Sequence, residues 1–172
     1  GGTLGGTLTL DAVSEPANAA NGTVGWTYSL PYTSSQYLAN GQTATESFTV
    51  TISDVNGGTI SETVVVTVHG SNDGPTITIA GTDVIGAITE DASIPTLTDT
   101  GTIVFNDVDL VDTHTATAVK ASGTLGGTLA VSTSELADAA SGTVGWTYSL
   151  PNTSAQYLAK GQTAVETFTV TI

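Results

Sequence analysis

The 31 residues from Gly142 to Ile172, GTVGWTYSLPNTSAQYLAKGQTAVETFTVTI, restate Gly22 to Ile52 with 26 identities at an offset of 120. Upstream, SGTLGGTL at Ser122 to Leu129 answers GGTLGGTL at Gly1 to Leu8 at an offset of 121, so one copy carries a single extra residue. A chain that writes the same paragraph twice is a repeat array, and a period of about 120 residues is the size of one domain with its own core. The 172 residues hold one full period and a fragment. The expected division is 1–72, the C-terminal part of one repeat, and 73–172, the next repeat lacking its final strand. A unit copied this faithfully points to a spacer or presentation module more than to a site of chemistry.

The charge balance narrows the partners. Sixteen Asp and Glu stand against Lys120 and Lys160, with no Arg, for a net charge of −14. That field repels phosphate backbones and anionic lipid, which disfavours nucleic-acid and membrane-surface binding and makes divalent cations the natural partner. Thr is about a fifth of the chain and Val is abundant, a composition suited to β-structure. With no Cys there is neither a disulfide brace nor a thiolate metal site.

Along the chain, Val24, Trp26, Tyr28 and Leu30 share one parity and Thr23, Gly25, Thr27 and Ser29 the other, which predicts a half-buried strand with its aromatic face inward. Gly1 to Leu10, which alternates as TLTL, reads as a strand, SEPANAA after it as a loop with room for a helical turn, and Tyr37 and Leu38 as caps on the open end of the core. Glu46 to Ile52 alternates again, with Phe48, Val50 and Ile52 inward. Asp54 to Gly58 reads as a hairpin turn, returning as a strand over Thr59 to Val68. Gly70 to Pro75 is the linker. Further strands are expected over Thr76 to Ala80, Thr102 to Phe105 and Thr115 to Val119. Many short strands with turn signals and no helical period describe an antiparallel sandwich.

The acidic loop from Asn106 to His114 carries Asp107, Asp109 and Asp112. Carboxylates this close repel unless a cation sits among them, and hard oxygen ligands in a turn suit Ca²⁺; the alternative is a solvated turn. In an immunoglobulin-type sandwich the entering linker reaches the same end as this loop, so Asn72 and Asp73 are expected to join it in one oxygen-rich pocket at the junction between units. Glu90, Asp91 and Asp54 complete the candidate metal ligands.

These residues resemble a known family. NDGP, TED, DVDLVDTHT, GWTYSLP, FTVTISDVNGG and VVVTVHGSNDGP, in that setting, are similar to the VCBS or cadherin-like repeats of giant Gram-negative adhesins of the repeats-in-toxin class, and the likeness covers essentially the whole chain. The resemblance implies all-β, tandem immunoglobulin/cadherin-like antiparallel β-sandwich repeats, exported by a type I system to the cell surface and stiffened by Ca²⁺ at the linkers. It implies an extracellular extender or surface filament that holds a distal ligand-binding domain away from the cell, with neighbouring repeats as its direct partners.

Competing readings leave weaker traces. His69 and His114 lie in no pattern that marks a nucleophile relay or a zinc site, and no acid, base and nucleophile converge, so no enzyme is expected. Asn21-Gly22-Thr23 and Asn152-Thr153-Ser154 match the N-glycosylation pattern, but each is absent from the other copy. Lys120 reads as a lone surface lysine. A sugar- or protein-binding module would need a repeated aromatic platform, and the exposed aromatic that can be nominated, Tyr32, is Asn152 in the second copy. Because Phe168 to Ile172 is followed by no equivalent of Ser53 to Val68, it is expected to form a sheet edge that no strand of this chain completes, with flanking copies in a longer polymer supplying the missing parts.

Overall fold

The computed structural model describes residues 4–172; the expectation for Gly1 to Thr3 lies outside the described residues. The fold is all-β, built from antiparallel strands, with two single-turn 3-10 segments at Tyr32–Ser34 and Asn152–Ser154 as its helical elements among the described residues. It divides into two compact units, Gly1–Asp73 and Gly74–Ile172.

The first unit contains β1 (Thr7–Leu10) paired with β2 (Trp26–Ser29), and β3 (Thr43–Ser53) paired with β4 (Thr59–His69). The β3–β4 hairpin keeps register over its whole length, from Thr43 opposite His69 to Ser53 opposite Thr59. Its turn is shaped as the sequence demands: Asp54 Oδ1 accepts the Asn56 and Gly58 amides at 2.8 Å each, and Gly57 takes φ 93°, a conformation that favours glycine. SEPANAA is not helical. Ser14 pairs with Thr23 as an isolated bridge, and Asn18 turns the chain at φ 64°.

The second unit contains β5 (Thr76–Thr78), β6 (Thr96–Asn106), β7 (Thr117–Ser122), β8 (Thr128–Glu135), β9 (Ser141–Pro151) and β10 (Thr167–Thr171). One sheet runs β5-β6-β9-β8, and β7 pairs with β10 in a second. Between them Ile103, Phe105, Val144 and Trp146 form a buried cluster, flanked by Leu129, Val131, Val170 and Ile172. The two sheets thus make a sandwich. A second cluster of Leu97, Leu150 and Ala155 closes the far end under Ile88 and Leu158.

The two copies bury their equivalent tryptophans to different extents. Trp146 is 6% exposed, yet Trp26, at the equivalent position, is 48% exposed. The reason is β6: in the second unit Gly101 of β6 stands opposite Trp146, where a Cβ would collide with the indole, and Trp146 Nε1 donates to the Asp83 carbonyl at 2.6 Å. No strand covers β2 in this way among the described residues. The aromatic face is therefore inward in one copy and half open in the other, and Ile52 shares that exposure. Leu38 is buried as expected, whereas Tyr37 is exposed.

The repeat differences follow the same logic. Asn152, which replaces Tyr32, sends its amide to the Asp91 carbonyl and accepts the Asp91 amide at 3.3 Å, while Ala155, which replaces Ser35, lies in the Leu97–Leu150 cluster. Both substitutions face residues 88–97, a segment with no counterpart in the first unit. Burial of Asn152 also takes it away from any glycosylating enzyme.

Candidate functional site

The most developed polar arrangement occurs twice, and it centres on a glutamate. Glu46 and Phe48, like Glu166 and Phe168, share a parity, so the strand that turns its phenylalanine to the core turns its carboxylate there too. In the first unit Glu46 accepts the amides of Leu4, Gly5 and Gly6 at 3.0 Å each, and the Tyr28 hydroxyl at 2.7 Å. In the second, Glu166 accepts the amides of Gly126 at 3.1 Å and Gly127 at 2.9 Å, and the Tyr148 hydroxyl at 2.8 Å. The ring of each tyrosine meets the following phenylalanine edge-on at 5.9 Å between centroids.

The paired glycines are required. A Cβ on Gly6 or Gly127 would overlap the carboxylate and the tyrosine, while Gly5 and Gly126 take φ of 78° and 86° to aim successive amides inward. The Thr-Leu-Gly-Gly-Thr-Leu motif is thus a backbone cradle for a buried anion. Lys120, read from sequence as a lone surface lysine, is instead ion-paired to Glu166 and sits 5.8 Å over the Phe168 ring.

Electrostatics follow from these contacts. The Tyr28 bond, against opposing burial and with help from the three backbone amides, holds Glu46 below the usual carboxylate range. Burial pushes Glu166 up, but Lys120, Tyr148 and the two glycine amides outweigh it and hold it low as well. The hydrogen bond to Glu46, with burial, pushes Tyr28 up to about 12. Burial and Glu166 push Tyr148 up.

Of the eight residues expected as calcium ligands, the five in the second unit fall into two groups. Asp107 and Asp109 are 4% and 2% exposed, and they share one turn with Asp112, whose amide donates to the Asp109 carbonyl at 3.0 Å. Asp107 Oδ1 accepts the Asp109 amide, and its Oδ2 lies 3.1 Å from His114 Nε2, whose other ring nitrogen is 2.8 Å from Glu135. His114 therefore bridges two carboxylates at this acidic pole, and its ring lies tilted at 57° against Phe105 with 4.8 Å between centroids. Burial opposes its protonation, but Glu135 and Asp107 prevail and raise its pKa.

Glu90 and Asp91 lie at the opposite pole, with the whole of β6 between, a span of roughly 35 Å. There Glu90 accepts Gln156 Nε2 at 3.0 Å, and Asp91 accepts the amide and hydroxyl of Ser93. Asp54 is occupied in its hairpin turn. Asn72 donates to the Asp73 carbonyl at the end of the first unit. Among the described residues no three His, Asp or Glu side chains are grouped so as to hold a metal ion. In the acidic loop Asp107 is engaged by His114 and by the Asp109 amide.

Sequence reasoning passed over the two glutamates and the His114 bridge. The first was detectable: a Glu on the inward parity of one strand and a Tyr on the inward parity of another, each repeated beside Gly-Gly. Exposed aromatics extend beyond Tyr32. Tyr157 is 67% exposed and its counterpart Tyr37 is exposed too, so an aromatic does recur in both copies. Comparison with known proteins finds no family model, no curated protein and no solved structure that matches the chain.

Proposed function

We propose that the chain is a segment of an extracellular structural extender of a bacterial surface adhesin or filament, in which each repeat serves as a stiff link and performs no catalysis. The observation that carries this reading is the twice-built glutamate cradle: an arrangement that ties a loop, a strand and a tyrosine together inside the domain is kept in both copies. Its test is to place one, two and four 120-residue periods between a surface anchor and a fluorescent reporter and measure the reporter's height above the cell. Equal increments per period are expected. A height that saturates after one period would overturn the reading.

The competing class, a carbohydrate- or protein-binding module, draws support from Tyr37 and Tyr157. A glycan array probed with the chain separates the two, because specific binding abolished by Tyr157→Ala would favour the module.

Calcium is a second reading for the acidic pole alone. It is favoured by charge, since Asp107 and Glu135 flank one imidazole and Asp109 is buried in the same turn as Asp107, in a chain of net charge −14. Binding would require His114 to leave Asp107 first. If an ion does bind the folded state, millimolar Ca²⁺ raises the melting temperature of metal-stripped protein by several degrees, through mass action. An unchanged melting temperature from chelator to 10 mM Ca²⁺, a range of on the order of saturating concentrations for extracellular modules, would remove calcium from the account.

A further inference from the structure

We propose that Asn40 is a site of spontaneous deamidation, through which the first unit acquires a negative charge and a lengthened turn. Asn40 and Gly41 form the exposed tip of a turn in which the Gln42 amide donates to the Ala39 carbonyl at 3.0 Å and Gln42 Oε1 accepts the Ala39 amide at 2.9 Å. The second unit builds the same turn from Ala159, Lys160, Gly161 and Gln162, with the corresponding bonds at 2.8 and 2.9 Å, and both glycines take φ 85°. The alanine, glycine and glutamine therefore set the turn, with glycine at the position that needs a positive φ. Asn40 adds nothing to it that lysine does not supply. Asn21-Gly22 and Asn56-Gly57 offer no such pair of copies: Ser141, the counterpart of Asn21, lies in β9, and Asp54 Oδ1 holds the amides on both sides of Gly57.

What asparagine brings is chemistry. Its side-chain amide carbon lies within ring-closing reach of the next backbone nitrogen, and glycine, without a Cβ, is the least hindered residue to carry that nitrogen. Among the described residues neither the Gly41 amide nor the Asn40 side chain makes a hydrogen bond, and a Cβ placed on Gly41 would meet nothing within 4 Å. Solvent base takes the Gly41 amide proton, the nitrogen attacks Asn40 Cγ, and the new N–Cγ bond closes a succinimide as Nδ2 leaves as ammonia with a proton returned from water. Water then opens the ring. Cleaving N–Cγ leaves an aspartyl residue, whereas cleaving the bond to the main-chain carbonyl leaves an isoaspartyl residue, whose backbone runs through Cβ and Cγ and is longer by one methylene. The extra length falls where the chain has no slack. Leu38 and Ala39 are buried, and Gly70 packs so closely on their carbonyls that a Cβ would overlap them. The Gly70 amide donates to the Gln42 carbonyl at 2.9 Å, just before Thr43 enters register with His69. An isoaspartyl residue parts the Ala39–Gln42 clasp and loosens Gly70; an aspartyl residue adds charge and keeps the length. The inference stands on the turn and does not depend on the extender reading.

The experiment incubates the 172-residue chain in mildly alkaline buffer, folded and in urea, and follows Asn40 by peptide mass spectrometry with isoaspartyl-specific methylation. The folded rate is expected to lie within about ten-fold of the rate in urea, as for a turn tip that opens at little cost, and slower conversion would overturn the proposal. In the isoaspartyl fraction the Gly70 amide is expected to exchange its hydrogen about ten-fold faster than in fresh protein or in Asn40→Asp, which carries the charge without the added length. Equal protection in all three would overturn the lengthened turn. Asn40→Lys, which copies the second unit, should keep Gly70 protected through the same incubation. Loss of protection in that variant would assign the change to another residue.

Discussion

Phe105→Ala is expected to destabilise the second unit by about 3–5 kcal/mol, enough to lower its melting temperature by more than ~10 °C. Phe105 is 1% exposed and sits where both sheets converge, against Val144 and Ile103 and beneath the ring of His114. Gly142 on β9 leaves room for it, since a Cβ there would overlap the ring. Such a site cannot collapse around a deleted ring, because strands β6 and β9 are pinned in register over 11 residues on either side. Urea unfolding followed by Trp146 fluorescence in a Trp26→Phe background reads this unit by itself. Ile77→Ala, at an exposed position, should move the midpoint little. A loss below about 1 kcal/mol for Phe105→Ala would mean that the cluster is not the unit's core.

Glu166→Ala carries the second largest effect. It leaves the Gly126 and Gly127 amides, the Tyr148 hydroxyl and the Lys120 ammonium without their shared acceptor, at a cost of about 2–4 kcal/mol. Glu166→Gln should lose less, because an amide oxygen still serves the glycines. The pH profile separates the cradle from ordinary packing. A carboxylate held low in the folded state contributes stability that is present above its unfolded pKa of about 4.3 and is lost as pH falls through the folded value. Both Glu46 and Glu166 are of this kind, so both units should weaken below about pH 4. The raised tyrosines act in the other direction, with stability held below about pH 10 and lost as pH climbs towards the folded value, about 12 for Tyr28. Glu166→Gln should flatten the acid limb of the second unit and leave that of the first in place. An acid limb unchanged in both would assign the effect to other carboxylates.

Alternation and repetition made the sheet-forming stretches legible. Trp146, Tyr148 and Leu150 announced β9, and the Asp54 turn announced the β3–β4 hairpin. β6 was half hidden: a strand was expected over Thr102 to Phe105, but it begins at Thr96, and Thr98, Asp99, Thr100 and Gly101 carry no apolar alternation to announce it. Their strand character comes from outside the local sequence, since Gly101 is there to admit an indole contributed 45 residues later. The same limit governed the candidate site. Spacing put Asp107, Asp109 and Asp112 together, and they do share a turn. That His114 would bridge Asp107 to Glu135 depends on β8 returning to the acidic pole, a consequence of tertiary pairing that no local pattern encodes. Glu90 and Asp91 could not be assigned to an end until β6 was seen to separate them from the acidic loop.

The register of β10 also governs how such a domain would bear force. Thr76 faces Asn106, and Thr171 faces Thr117, the first residue of β7, so the chain enters the second unit and completes β10 at the same, acidic pole. β4 in the first unit runs the other way, from its turn at Ser53 to His69 opposite Thr43. A domain finished by a strand of that kind takes its chain in at one pole and releases it at the other. Tension between those two ends pulls along the strands, and the cross-strand hydrogen bonds of the ladder, set perpendicular to the pull, are loaded together in shear instead of parting one at a time. Resistance to forced unfolding is a matter of rate, and a ladder of 11 paired positions such as β3–β4 is the element that would set it.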